Sequence, residues 1–248
     1  MTQFGIDYNK ITPSELKGYD LVVLEQDRYT PHELRELTQS DAKILGYFSM
    51  SEVHPSRPYF QELKKVGFLG KNENWNSYYL NLGASTARSI MLDSVLPNVM
   101  INGLDGLLLD TIDGVAPYTE RSHLQDEMVG MIREIKSRYP DAIIIQNTGL
   151  FLLEKSCRYI DGVMMESLAT TYDFNANNYR LSSSEQYQRK VKTIKKYSNL
   201  IDDQFYLVDY VDSPEMARQV RQRLDTLGYP YYLSSIQLDS LQYYPQEH

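Results

Sequence analysis

The sequence predicts a (βα)8 TIM barrel, with residues 1–248 forming a single domain. Three observations predict it. Short β-type runs alternate with helix-type segments along the chain, an order that calls for right-handed crossovers and a parallel sheet. Nine such runs stand where a barrel has eight places, so one at an end is expected to be accessory. Several runs finish on an acid or an amide, whereas an open doubly wound sheet gathers its ligand groups at one switch point. The length suits one barrel, and no low-complexity linker or internal repeat divides it.

The strand-like runs are 4–7, 20–25, 43–49, 78–82, 105–110, 142–147, 162–166, 205–210 and 231–234. The run at 105–110 is the clearest: Leu107, Leu108 and Leu109 are opened by Gly106 and closed by Asp110, the pattern of a strand buried on both faces. Asp105 and Gly106 read as the turn that leads into it. Helices carry their own signals. Thr12-Pro13-Ser14-Glu15 and Thr30-Pro31-His32-Glu33 each combine a threonine cap, a first-turn proline and a reciprocating glutamate. Residues 85–100 read as a helix that Pro97 should bend or end. Leu124, Met128, Met131, Ile132 and Ile135 form one helical stripe that stops near Tyr139-Pro140. Ser213-Pro214 opens a last helix, with Ala217, Val220, Leu224 and Leu227 inward and Gly228 as its stop. The segments 50–77 and 170–184 exceed what connections need, and their aromatics mark them as functional loops.

Composition narrows the chemistry. A formal net charge of −8 argues against nucleic acid, whose phosphates demand a basic surface, and is compatible with a cationic ligand. No apolar run approaches the ~20 residues of a membrane helix, so no membrane contact is expected, and 1–8 lack the marks of a signal peptide. Cys157 is alone, which excludes an internal disulfide; it reads as a packed thiol at a helix end. Only His32, His54, His123 and His248 could partner a catalytic thiol. The methionines read as core. Tyrosine numbers 21 against a single tryptophan; such rings supply the flat faces of a sugar-binding cleft and serve equally as core.

Strand ends supply Glu25, Glu52 shortly after its run, Asp110, Asn147, Glu166 and Asp209. Carboxylates delivered to one barrel mouth from different strands can be given different pKa values, which acid and base chemistry requires. Asp110 and Glu166 are the sharpest pair. Both directly end very apolar strands, so both should be rigid and partly desolvated, and one acid with one base or nucleophile is all a glycosidase needs. Read by itself, Asp110 serves equally as a cap for the next turn. A magnesium site of Glu52, Asp110 and Asp113 is chemically open. His54 reads as a loop histidine. The chain lacks a phosphate loop, a strand-linked GxGxxG, HExxH and GxSxG.

One succession of residues carries a family resemblance: Gly46-Tyr47-Phe48-Ser49-Met50-Ser51-Glu52, Arg57, Trp75, Leu80-Asn81-Leu82, the stretch 103–113, Gln146-Asn147, and Asp161-Gly162-Val163-Met164-Met165-Glu166-Ser167. It resembles the pattern of glycoside hydrolase family 114, the endo-α-1,4-polygalactosaminidases, related to the hydrolase domain of Pel polysaccharide-processing proteins. The resemblance implies a TIM barrel that cleaves inside polymers of α-1,4-linked galactosamine or N-acetylgalactosamine, outside the cell or at its surface. It implies Asp110 as nucleophile and Glu166 as general acid/base, with Tyr47, Glu52, Asn147 and Tyr210 in the cleft. Ser51 stands where the family commonly has glycine, and Leu104 where it commonly has phenylalanine. Ser51 bears on the loop that aims Glu52.

The function expected is therefore a retaining endo-glycosidase. Its substrate would be a cationic amino-sugar polymer, drawn by carboxylates such as Glu52 and Asp113, with Trp75 and loop tyrosines such as Tyr172 stacking on sugar faces. No cofactor is expected, and the protein is expected to be a monomer. The alternatives are a non-catalytic carbohydrate-binding barrel and a metal-dependent barrel enzyme.

Overall fold

The computed structural model describes residues 2–101 and 103–241; His248 lies outside them. In chain order the strands are β1 (Phe4–Asp7), β2 (Leu21–Leu24), β3 (Lys43–Ser49), β4 (Glu52–Val53), β5 (Phe68–Asn72), β6 (Ser77–Leu80), β7 (Gly106–Asp110), β8 (Ile143–Asn147), β9 (Gly162–Glu166), β10 (Thr170–Asp173), β11 (Asn178–Leu181), β12 (Phe205–Tyr210) and β13 (Tyr231–Ser234). Eight form one parallel sheet in the order β1-β2-β3-β7-β8-β9-β12-β13. Its ends meet, with Tyr232 donating its hydroxyl to the Ile6 carbonyl at 3.2 Å, so the sheet is a nearly closed (βα)8 barrel.

The supernumerary run is 78–82, inside the chain rather than at an end. It becomes β6, which pairs antiparallel with β4 and β5 in a separate three-stranded sheet. The segment 50–77 is thus largely folded, and 170–184 contains the antiparallel β10–β11 hairpin. Tyrosines and threonines favour pleated, half-buried strands, and the hairpin has Thr170, Thr171, Tyr172 and Tyr179.

Each barrel strand divides its side chains by parity. Ile6, Val23, Leu45, Leu108, Ile145, Met164, Val208 and Tyr232 fill the barrel interior. Val22, Leu24, Ile44, Leu107, Leu109, Ile144, Val163, Phe205 and Leu207 face outward into the layer beneath the helices.

Those helices include α1 (Pro31–Leu37), α2 (Phe60–Val66), α3 (Ser85–Ser89), α4 (Leu96–Met100), α5 (Gln125–Arg138), α6 (Leu153–Ser156), α7 (Ser184–Tyr197) and α8 (Pro214–Leu224). Met128, Met131, Ile132 and Ile135 are the buried stripe of α5, and α8 buries Ala217, Val220 and Leu224 before Gly228 (φ 75) turns the chain away. Thr30 caps α1 as expected, but the Thr12 box opens only a 3-10 turn, Pro13–Leu16. Pro97 does not end its helix. A π turn at Ile90–Val95 joins α3 to α4, with the Leu96 amide bonding five residues back to Met91. Such a turn makes room where a proline in regular helix would collide with the carbonyl four residues earlier. Cys157 follows α6, half-buried and packed on the core.

The barrel floor is held by one repeated device. Asp20, Asp105 and Asp161 each stand just before a strand. Each donates its amide to a carbonyl on the neighbouring strand segment and accepts that same residue's amide on its carboxylate. The partners are Gln3 (2.7 and 2.7 Å), Ile44 (2.9 and 2.9 Å) and Ile144 (2.7 and 2.8 Å). This is why the strands begin one residue later than the runs 20–25 and 105–110. Gly106 then enters so close to β8 that a Cβ there would lie 1.9 Å from the Ile143 carbonyl oxygen. A backbone collision cannot be relieved by rotating a side chain, so Gly106→Ala should destabilise the fold by about 3 kcal/mol or more, read as a lowered midpoint in denaturant unfolding.

Candidate active site

The parity that fills the interior also aims the chemistry. Two residues beyond a lumenal apolar side chain, the next lumenal position lies at the carboxyl end of the strand. Leu45 is followed in this way by Tyr47, Leu108 by Asp110, Ile145 by Asn147, Met164 by Glu166 and Val208 by Tyr210. All five line a cleft of about 370 Å³, together with Glu52, Trp75 and Asp113.

At its centre the Asn147 amide nitrogen donates to Asp110 Oδ1 at 2.7 Å and to Glu166 Oε1 at 2.6 Å. Those two distances bound the separation of the carboxylate oxygens at about 5.3 Å. The outer oxygens are held as well: Tyr47 donates to Asp110 Oδ2 at 2.8 Å and Tyr210 to Glu166 Oε2 at 2.6 Å. Removal from water, then the nearby carboxylates, push both phenols well above their ordinary value, so they remain donors. The Glu166 carboxyl is pushed up to about 7, first by desolvation and then by the charge of Asp110, against the opposing hydrogen bonds of Tyr210 and Asn147. Asp113 stands at the exposed rim and is raised by desolvation within the cleft wall and by Asp110.

Behind each central residue the backbone turns left-handed. Thr111, Thr148 and Ser167, directly after Asp110, Asn147 and Glu166, have φ of 59°, 54° and 55°. Such a conformation costs a non-glycine residue about 1 kcal/mol or more and persists only where the surroundings over-determine it. Here Thr148 and Ser167 still donate to the next strand, to Met164 and Val208 carbonyls at 2.7 and 2.8 Å. Thr111 is gripped by Ser51, whose amide donates to its hydroxyl at 2.9 Å and whose hydroxyl donates to its carbonyl at 2.5 Å. Ser51 therefore ties the loop after β3 to the one after β7. Glu52, next in sequence, is buried, takes a hydrogen bond from Ser77 and two from Asn72 at 3.3 Å, and is raised chiefly by burial.

Two strand-end carboxylates do other work. Glu25 is clamped by both Arg57 Nη atoms at 3.0 and 2.5 Å, with Asp27 sharing the guanidinium. Asp209 has the wrong parity for the lumen. It faces outward, fully buried, and accepts from the Ala169 and Thr170 amides and the Thr170 hydroxyl at 2.8–3.0 Å, pinning the start of the hairpin. Tyr172 is a correction too: it does not line the cleft. Its ring packs edgewise on Phe174 and Tyr179 within the hairpin, because the hairpin folds its own aromatics together. Among the described residues, no group of three or more acidic, histidine or cysteine side chains is placed to hold a metal, Glu52, Asp110 and Asp113 included. Sequence reasoning missed Tyr8, which follows β1 and packs edge-on against Tyr47, and also Asn72, Ser77 and the wall at 236–238. Tyr8 carried the strand-end signal; the others carried none.

The family model described as glycoside-hydrolase family GH114 matches residues 2–248. The chain is similar to the glycoside hydrolase domain of PelA from Pseudomonas aeruginosa, at 23% identity and a TM-score of 0.84 over 96% of each chain. It is also similar to Ega3 of Aspergillus fumigatus, solved in complex with galactosamine, at 13% identity and a TM-score of 0.76 over 96% of this chain and 92% of that one. An uncharacterized protein of Deinococcus radiodurans is 21% identical over 249 residues, covering 96% of this chain and 80% of its own. At these identities the solved structures show a shared barrel fold.

A stability measurement tests the electrostatics without substrate. Because the Glu166 carboxyl titrates near 7 in the folded protein against an ordinary 4.5, the native state holds its proton more tightly than the unfolded chain. Its contribution is favourable at low pH and is lost as pH rises through that window. Glu166→Gln should therefore melt several degrees above the unsubstituted protein at pH 8, with the difference shrinking at pH 5. Equal melting temperatures at pH 8 would contradict the assigned burial of charge.

Proposed function

The chain belongs to glycoside-hydrolase family GH114, and from that premise we propose that it is a retaining endo-hydrolase of α-1,4-linked galactosamine or N-acetylgalactosamine polymers. One observation carries the stereochemistry: the 5.3 Å bound between Asp110 and Glu166 oxygens. As an upper limit it falls short of the ~6.5–9.5 Å that inverting glycosidases need to seat a water, whereas retaining ones hold their carboxyl groups closer, at ~5–5.5 Å.

In this reading Asp110 attacks the anomeric carbon while its two oxygens rest on Tyr47 and Asn147. Glu166 protonates the departing glycosidic oxygen. Both of its protein neighbours are donors, so the proton it carries below about pH 7 finds its acceptor on the substrate. Ionised after that transfer, Glu166 takes a proton from the water that releases the sugar from Asp110.

The choice of an amino sugar has two supports. Ega3 was solved with galactosamine. The cleft also presents Glu52, Asp110, Asp113 and Glu166, while its Arg57 is already committed to Glu25 and Asp27; an ammonium-bearing chain suits that balance. Action as a monomer, outside the cell or at its surface, belongs to the same proposal.

Asp110→Asn and Glu166→Gln should each lower turnover of a partly deacetylated α-1,4-galactosamine polymer by at least about a thousandfold, measured as new reducing ends, with the polymer still bound. Polymer binding by the unsubstituted protein with no new ends would favour a binding module instead. For the unsubstituted protein, kcat/KM should fall as pH rises through about 7, where Glu166 loses its proton. An unchanged rate from pH 6 to 9 would remove Glu166 from the acid role.

A further inference from the structure

Trp75, the one tryptophan of the chain, sits in the turn between β5 and β6, on the sheet that grows out of the loop after β3. Phe174 sits in the turn of the hairpin that comes after β9. The two turns belong to barrel strands three places apart in the ring. Their rings nevertheless meet edge to face, centroids 5.3 Å apart and planes at 79°. From Phe174 the aromatic contacts continue through Tyr172 at 5.0 Å to Tyr179 at 4.8 Å, and the Tyr179 hydroxyl accepts from the Ile236 amide at 3.0 Å. Trp75 lines one part of the cleft and Ile236 another.

These contacts close a circuit of protein. It runs from β3 out to Trp75, across to Phe174, back down the hairpin to β9, and through β8 and β7 to β3 again. Asp110, Asn147 and Glu166 stand at the tips of the strands on that circuit. A polymer longer than the cleft can lie within such a circuit only by threading from one end or by entering while the ring pair is apart. One edge-on ring contact is weak enough to break thermally, and Trp75 remains 47% exposed.

Resting on the hydrolase reading above, we propose that Trp75 and Phe174 form a clasp over the cleft that parts to admit an internal stretch of amino-sugar polymer and shuts over the seated chain. The clasp sets the mode of attack: a chain held beneath it is cut several times before release, and a chain shorter than the cleft gains nothing from it. Phe174 does not line the cleft, so its removal separates holding from cutting.

The test compares Phe174→Ala with the unsubstituted protein on long polymer and on a galactosamine tetrasaccharide. Reducing ends released per unit fall in polymer viscosity should drop at least about twofold in the variant, while the rate on tetrasaccharide stays the same. Phe174→Leu keeps apolar packing for the hairpin but removes the ring edge, and should behave alike, which guards against a disordered hairpin. Independently, Trp75 fluorescence in Asp110→Asn should shift as long polymer saturates the cleft, and that shift should shrink when Phe174→Ala is added. An unchanged ratio of ends to viscosity in both variants, or unchanged emission at a saturation fixed by calorimetry, overturns the clasp alone. If the unsubstituted protein cuts neither polymer nor tetrasaccharide, the hydrolase reading falls and takes the clasp with it.

Discussion

Two carboxylates within reach of one amide group are the condition on which the rest of this barrel mouth depends. Like charges so close resist joint ionisation. The protein answers with donors: Asn147 between the acids, Tyr47 on the far oxygen of Asp110, Tyr210 on the far oxygen of Glu166. Hydrogen bonding holds both acids alike, and Glu166, desolvated and beside the charge of Asp110, keeps its proton to near neutrality. A carboxyl that holds its proton to near neutrality is what a general acid requires.

Holding that arrangement falls to backbone geometry more than to packing around the side chains. Three consecutive strands of the ring end on a central cleft residue and then turn left-handed. The turn keeps the central residue as the last lumenal position and diverts the next residues to the rim. Its strain is opposed by ladder bonds at Thr148 and Ser167 and by Ser51 at Thr111. Ser51, one of the two departures from the family pattern, thus acts as a tie between loops, with Glu52 held separately by Ser77 and Asn72.

The barrel and its two acids were legible because their signal is local. An apolar run with an acid at its end states both burial and position, and Leu-Leu-Leu-Asp and Val-Met-Met-Glu state it without ambiguity. Asp209 shows where that signal fails. In Phe205–Tyr210 both faces of the strand are apolar, so parity cannot be read from the sequence, and the lumenal residue is Tyr210 rather than the acid beside it. Glu25 ended a strand as well, but its fate depended on Arg57, 32 residues away. Asn72 and Ser77 reach the cleft only because the long connection after β3 folds into a sheet of its own, a tertiary fact with no local trace. Tyr172 was misplaced for the same reason: aromatic content marks a segment as structured without telling whether its rings face a ligand or one another.

The reciprocal aspartates of the floor have a bearing on how such a protein can change. Asp20, Asp105 and Asp161 register neighbouring strands at the end opposite the cleft, using bonds that no mouth residue enters. Strand alignment is thereby decided at one pole of the molecule, and substrate contact at the other. Segments such as 50–77 and 170–184 could lengthen into a sheet and a hairpin without disturbing the ladder that carries Asp110 and Glu166. The floor makes the barrel a chassis: a lineage can redraw the rim and leave Asp110 and Glu166 aligned.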